Sequence, residues 1–209
     1  TVSSTSGNLQ VISGQHILTN TNTGTTTEFS TTGSLLLDAQ DSIGVTAKRL
    51  DTTVGTVAAV SAGASTAGDI FLNQTTGALT VGTATGLDGR ANLTGIATSA
   101  NNNDITLVSA GAVTVTQNVS AHGSGNVALK TTGANDVNIN GATVSSTSGN
   151  LQVISGQHIK TTTATGTTTE FSTTGTLLLD AQDSIGVTGN RIDTTVGTVA
   201  AVSAGASTA

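Results

Sequence analysis

The chain lacks cysteine, proline, methionine, tryptophan and tyrosine entirely, and its only aromatic side chains are three phenylalanines among 209 residues. Without cysteine, no disulfide framework can hold the fold together. Proline removes a hydrogen-bond donor from a strand ladder, so a chain without it is compatible with backbone pairing that runs almost without interruption. The sequence therefore favours an architecture that depends on backbone hydrogen bonds and small side chains.

Charge is also scarce. Charged residues make up 9% of the chain, whereas a typical globular protein has roughly 25%. The six Lys and Arg residues and the net charge of −6 leave no basic patch, and no aromatic residues accompany them to stack bases. We therefore expect no nucleic-acid partner. No apolar run reaches the length of a membrane span, so no membrane insertion is expected either.

Small aliphatic residues, threonine and glycine dominate the remainder. Hydrophobic residues at 35% and 26 glycines approach the roughly 45–50% apolar-plus-glycine share of folded domains. Thr and Val are favoured on pleated surfaces. This composition predicts an all-β fold.

One short sequence phrase, or motif, recurs in variant form along the chain. In the stretch 68–82, GDIFLNQTTGALTVG, apolar residues alternate in two short segments separated by a glycine-bearing turn, which is the pattern of two strands with one buried face. Variants of this phrase recur along the chain, and together they predict a β-solenoid of stacked coils. The predicted inward residues are Leu9, Val11, Ile70, Leu72, Leu79, Val81, Ile105, Leu107, Val127 and Leu129, and the predicted corner glycines are Gly7, Gly33, Gly68, Gly77, Gly125 and Gly149.

A longer repeat is superimposed on the short one. Residues 1–67 reappear at 143–209, an offset of 142 residues, with 60 of the 67 positions identical. Residues 1–142 are therefore predicted to form one complete repeat unit of about six or seven coils, and 143–209 a partial second copy continuous with it. The run Asn140 to Val144 reads through the junction, and no cap is recognisable at either end, so we expect an uncapped excerpt of a longer rod.

Three apolar residues fall out of phase with their inward neighbours: Leu36, Phe71 and Leu178. One interpretation is that they are scattered exposed residues without a role, as on most proteins. The other is that, repeated along a rod, they form a stripe for lateral contacts between fibres.

Three short motifs carry a family resemblance. They are an Asp-Ser-Ile-Gly phrase at 41–44, an Arg-Leu-Asp-Thr phrase at 49–52 and a Gly-Asp-Ile-x-Leu phrase at 68–72, and the first two recur at 183–186 and 191–194 with Ile192 replacing Leu. In this order they resemble the repeats of giant filamentous-haemagglutinin-like bacterial surface proteins.

That resemblance implies a right-handed parallel β-helix, secretion across the outer membrane and an extracellular or cell-surface location. It further implies a role as the shaft of an adhesin or extracellular filament. The near-identical long repeats, the low charge and the lack of convergent reactive groups favour a non-enzymatic structural segment. The expected partners are further repeats of the same chain, lateral fibre neighbours, and glycans on host or neighbouring cells.

Two alternatives remain open. One is a surface-binding solenoid that recognises ice or glycans; ice binding would need Thr-x-Thr at the same place in every coil, but the Thr positions shift. A carbohydrate-active β-helix would need clustered acids with a basic residue, and the candidates are the pairs Asp38/Asp41 and Asp180/Asp183 with Arg49 or Arg191. We expect the acids to be solvated corners instead. His16, His122 and His158 show no metal-ligand spacing, so neither a metal nor a cofactor is expected.

Overall fold

The computed structural model describes residues 1–63, 68–100 and 102–205; the last four residues of the predicted second copy, 206–209, lie outside this set. The described residues form strands, turns and bends and contain no helix. Accordingly, no helix of the described chain is long and apolar enough to cross a membrane. The architecture is a β-solenoid of about eight turns with parallel stacked strands, which confirms the predicted fold class.

The described residues contain nineteen strands, of which seventeen form the stack and two form a small separate sheet. They fall into three parts of the chain. The first copy and its continuation contain β1 Val2–Ser3, β2 Leu9–Ser13, β3 Phe29–Ala39, β4 Leu50–Ser61, β5 Ile70–Gln74 and β6 Leu79–Val81. The middle contains β7 Thr83–Ala84, β8 Leu93–Thr94, β9 Ile96–Thr98, β10 Ile105–Ser109, β11 Val113–Val115, β12 Val119–Ala121, β13 Val127–Thr131 and β14 Val137–Ile139. The second copy contains β15 Val144–Ser146, β16 Leu151–Ser155, β17 Ile159–Lys160, β18 Phe171–Ala181 and β19 Thr194–Ser203.

Each strand pairs in parallel with its counterpart in the next turn, and β7 with β8 is the one antiparallel pair among these strands. From β5 onward, three columns run along the rod. Column I contains 70–74, 105–109, 127–131, 151–155, 177–181 and 199–203. Column II contains 79–81, 113–115, 137–139 and 159–160, and column III contains 96–98, 119–121, 144–146, 171–173 and 194–196.

The interior is formed by the alternating apolar residues. Along β10, for example, Ile105, Leu107 and Ser109 are buried while the two residues between them are only partly buried. Neighbouring turns place the same position of the strand directly above, as where Ile105 pairs with both Ile70 and Val127. Side chains of similar size therefore stack along the bore and form one continuous core.

The two copies of the long repeat do not occupy the same columns. Phe171 pairs with Val144 and so belongs to column III. Its repeat equivalent, Phe29, pairs with Thr52, which in turn pairs with Gln74 of column I. The 142-residue offset therefore spans about five and a half turns. The sequence suggested six or seven, and a hairpin and long corner loops lengthen some of the turns.

A hairpin interrupts the stack between columns II and III. β4 pairs through Val57 with β6 and through Ala59 with β9, so β6 and β9 lie side by side over a single strand. The chain between them leaves the wall at Gly82 and returns at Gly95, whose N–H donates to the Gly82 carbonyl at 2.8 Å. We call residues 82–95 the lobe.

Candidate functional site

The predicted inward residues line the bore. Eight of the ten are 0–1% exposed: Ile70, Leu72, Leu79, Val81, Ile105, Leu107, Val127 and Leu129. The other two, Leu9 and Val11, pack against the same core but remain partly buried. They lie on β2, which pairs only with β3 among the described strands.

Three of the six predicted corner glycines, Gly33, Gly125 and Gly149, lie at turns where the backbones of adjacent coils approach closely. A Cβ on any of them would collide with a carbonyl oxygen of the coil below, which belongs to Gly7 for Gly33, to Asn103 for Gly125 and to Gly125 for Gly149. Gly68 is crowded instead by the side chain of Asn103. Gly77 has open space but a φ of 74°, a left-handed conformation that favours glycine.

The residues that follow the corner glycines form a ladder that the sequence analysis missed. Asn126 accepts the Asn150 N–H through Oδ1 at 2.9 Å, and Asn150 accepts the Thr176 N–H at 3.1 Å. Lower in the stack, Asp69 accepts the Asp104 N–H and Asp104 accepts the Asn126 N–H, both at 2.7 Å. Each corner side chain thus satisfies a backbone donor of the next turn. The sequence signal for this ladder is an Asn or Asp directly after the corner Gly, or after Asn103.

Two carboxylates are neighbours in this ladder. Burial is the main reason that the pKa of Asp69 is raised above its ordinary value; the backbone hydrogen bond from Asp104 lowers it, and the Asp104 charge raises it. At this position the ladder needs only an acceptor, which an amide supplies equally well, as Asn126 does. The charge on Asp69 is therefore not required for the corner to form.

The acids considered for catalysis are distributed among separate contacts. Asp38 pairs with Arg90 of the lobe at 3.5 Å, and Asp41 lies 3.8 Å from the Nε2 of His16. In the described part of the chain, Arg49 makes no ion pair with either acid. The groove that contains Arg191 is lined otherwise by uncharged residues of the last turn. The structure therefore does not bring the predicted acids and arginines together.

A Ser, a His and an Asp do meet in the second copy. The Nδ1 of His158 lies 2.9 Å from Ser184 Oγ, and its Nε2 lies 3.8 Å from Asp183. These groups are the ones that hydrolases use for nucleophilic catalysis. In the first copy, however, His16 Nδ1 accepts from the Ser42 backbone N–H at 3.2 Å instead. In both copies, therefore, the histidine makes a hydrogen bond that links the corners of two successive turns.

The outward positions change character from turn to turn. Above Phe71 on column I lie Thr106, Ala128, Gln152 and Leu178. A surface that orders ice needs the same hydroxyl pair at every level, and this position of column I, which continues to Ala200, has one Thr in six levels. The irregularity that the sequence shows is retained in the folded rod.

Two of the three residues proposed for lateral contacts are not exposed. Leu36 is 4% exposed and Phe71 is 8% exposed, so neither contributes to an exposed stripe. Leu36 does face outward, but it packs in a small second cluster with Ala58, with Ala84 of the lobe, and with the partly buried Leu93. Leu178, its repeat equivalent, is partly buried and lies next to a shallow groove that includes Gln152 and Thr176.

No group of three or more His, Cys, Asp or Glu side chains suited to a metal ion occurs within residues 1–63, 68–100 and 102–205. No family model matches the chain, and neither a curated protein nor a solved structure matches it. The solenoid is compatible with a repeat region of a β-helical rod. Function must therefore be argued from the rod itself.

Proposed function

We propose that this chain is a non-enzymatic structural segment that forms part of the shaft of a secreted bacterial adhesin or extracellular filament. The observation that carries the proposal is the uninterrupted passage from one long repeat to the next. Val144, in the second copy, pairs with Val119 below and Phe171 above. The repeat boundary is thus an ordinary level of the stack.

The mode of stabilisation supports the same role. The core is a continuous column of apolar side chains, and successive turns are joined by backbone hydrogen bonds and by the corner ladder. In repeat proteins of this kind each turn is stabilised mainly by its nearest neighbours. Adding turns lengthens such a rod without requiring a new kind of contact.

The bacterial surface location and the adhesin role rest on the resemblance of the three short motifs to filamentous-haemagglutinin-like repeats. The self-contacts proposed for the shaft are those between successive units. Lateral fibre contacts and recognition of cell-surface glycans remain proposals, as does the absence of nucleic-acid and membrane partners. The ice-binding alternative is not favoured, because column I lacks a regular hydroxyl array.

Electron microscopy of chains with increasing numbers of 142-residue units tests the proposal. At about 4.8 Å per turn, five and a half turns should add roughly 26 Å per unit. A rod whose length grows linearly by this amount, at constant width, supports a shaft. Globular beads separated by linkers would contradict it.

An enzymatic role can be tested separately. The proposal predicts no release of reducing ends from acidic or neutral polysaccharides by the chain. If cleavage is seen and is abolished by Asp38→Asn or Asp180→Asn, the carbohydrate-active alternative is correct and the structural one is incomplete.

A further inference from the structure

The lobe has a defined seat on the first copy. Ala84 and Leu93 of the lobe cover Leu36 and Ala58 of the rod wall. Ala58 and Ala84 are fully buried by this contact. An apolar patch on the outside of the rod is thereby removed from water.

Polar contacts surround that patch and set the orientation of the lobe. Leu87 donates its N–H to the Gln10 side-chain oxygen at 2.7 Å. Thr85 donates its N–H to Ser34 Oγ at 3.3 Å. On the far side, Arg90 pairs with Asp38 at 3.5 Å. The seat therefore combines an apolar centre with an acceptor on each side and one negative charge.

The second copy carries the same seat. The equivalents of Gln10, Leu36, Asp38 and Ala58 are identical residues, and Ser34 is replaced by another hydroxyl residue; the set is Gln152, Leu178, Asp180, Ala200 and Thr176. In the second copy Leu178 is only partly buried, and Gln152, Thr176 and Ala200 are exposed. A groove beside Leu178 follows this face.

We propose that this face of the second copy is the seat for a second lobe, with the sequence of residues 82–95, supplied by the remainder of the same repeat unit. The inference rests on the proposed function, since it assumes that units follow one another in a rod. The occupant is specified by chemistry already present in the first unit: an alanine and a leucine side chain for Leu178 and Ala200, two backbone N–H donors, and an arginine for Asp180.

The two seats face different directions. Leu36 lies on β3, which pairs with β4, and β4 in turn pairs with β6 of column II and β9 of column III. Leu178 lies in column I. Because a unit spans about five and a half turns, successive lobes alternate between opposite sides of the rod. A neighbouring rod that packs laterally would then contact lobes on both sides of this rod. Neither side would present a continuous apolar stripe.

A cross-linking experiment tests the second seat. The chain is extended after Ala209 with the sequence of residues 68–142, which completes the second unit. Because the natural sequence has no cysteine, introduced pairs are the only thiols. Leu36→Cys with Leu93→Cys is the positive control, and Leu178→Cys with Leu93→Cys is the negative control, since Leu93 packs against Leu36 of the first copy and Leu178 lies in column I.

The test pair combines Leu178→Cys with a cysteine at the Leu93 equivalent of the added segment. We expect it to oxidise to an intramolecular disulfide with a yield within about twofold of the positive control. If only the positive control oxidises, or if Leu178→Cys forms dimers between molecules, the inference is wrong.

Rod length, measured on the same samples, separates this inference from the proposed function. A rod that lengthens by the expected increment while the test pair stays reduced overturns the second seat and leaves the shaft intact. A chain that fails to lengthen as a rod overturns both.

Discussion

The first and second copies of the long repeat share 60 of 67 residues, yet the structure places them differently. Leu36 is buried beneath the lobe, and the identical Leu178 is only partly buried. Lys160 pairs with Asp136 of the turn below at 2.6 Å, whereas Leu18 at the equivalent position is 53% exposed.

These differences arise from the neighbouring turns and not from the copies themselves. A strand in a solenoid has a fixed inner and outer face. The residues that cover its outer face, and those that lie below its corners, belong to other parts of the chain. Identical sequences therefore acquire different burial and different partners. Matched substitutions in the two copies can separate the contribution of the neighbours from that of the residue.

The largest difference is expected from Leu36→Asp and Leu178→Asp. At Leu36 the change places a carboxylate under the lobe and removes apolar burial, which together should cost about 3 kcal/mol or more of the local stability. At Leu178 the same change should cost less than about 0.5 kcal/mol in this chain. Hydrogen exchange measures the effect, and we expect residues 82–95 to lose protection only in Leu36→Asp.

Continued protection of 82–95 in Leu36→Asp would show that the lobe does not depend on this contact. Leu36→Met is the matched control, because it keeps the volume and should change the stability by less than about 1.5 kcal/mol.

A smaller difference is expected at the corner glycines. A Cβ on Gly149 would collide with the Gly125 carbonyl oxygen, whereas a Cβ on its equivalent Gly7 would meet only Ser4 Oγ at 2.8 Å. Gly149→Ala should therefore lower the free energy of unfolding by about 1–3 kcal/mol, and Gly7→Ala by less. Urea denaturation of the two variants measures this. Equal losses would mean that the corner, and not the coil below it, sets the requirement for glycine.

The Lys160 position should show an effect smaller still. Lys160→Leu restores the residue of the first copy and removes the ion pair with Asp136, which should cost about 0.2–1 kcal/mol. The reciprocal Leu18→Lys has no partner of this kind in the described chain and should leave the stability unchanged. A double-mutant cycle of Lys160→Leu with Asp136→Asn isolates the pair. A coupling energy near zero would show that the ion pair makes no net contribution.

The smallest effect concerns the ladder, where acids at Asp69 and Asp104 are replaced by Asn126 and Asn150 higher in the stack. Because the folded-state pKa of Asp69 is raised, its contribution to stability is full below its ordinary value of 3.8 and is lost as the pH rises through the folded-state value. Asp69→Asn should remove that loss, so the variant gains stability relative to the natural chain on going from acid to neutral pH. Thermal unfolding of both proteins across this range measures the difference. A constant offset would contradict the prediction.

The interior could be predicted from the sequence because strand alternation has a period of two and acts locally. Ile105 and Leu107 face the bore wherever their turn happens to lie in the stack. The corner glycines were equally accessible, since turns need residues that tolerate close approach or a positive φ. The ladder could have been found as well, from the polar residue that follows each corner.

The number of turns per unit and the cover over Leu36 could not be predicted in this way. Both depend on how the turns stack on one another. The lobe that covers Leu36 is about fifty residues away in the sequence. The ion pair between Asp38 and Arg90 was missed for the same reason. Arg49 is closer in sequence, but proximity along the chain does not place it next to the acid.

The direction of the hydrogen bonds between turns also determines how the rod responds to tension. These bonds lie along the long axis, so a pull on the two ends loads them one after another and not all at once. From Ile105 onward, successive strands of column I begin 22 to 26 residues apart, so each of these turns that peels away should lengthen the chain by roughly 80 Å. We therefore expect such a rod to extend one turn at a time under tension and not to come apart in a single event.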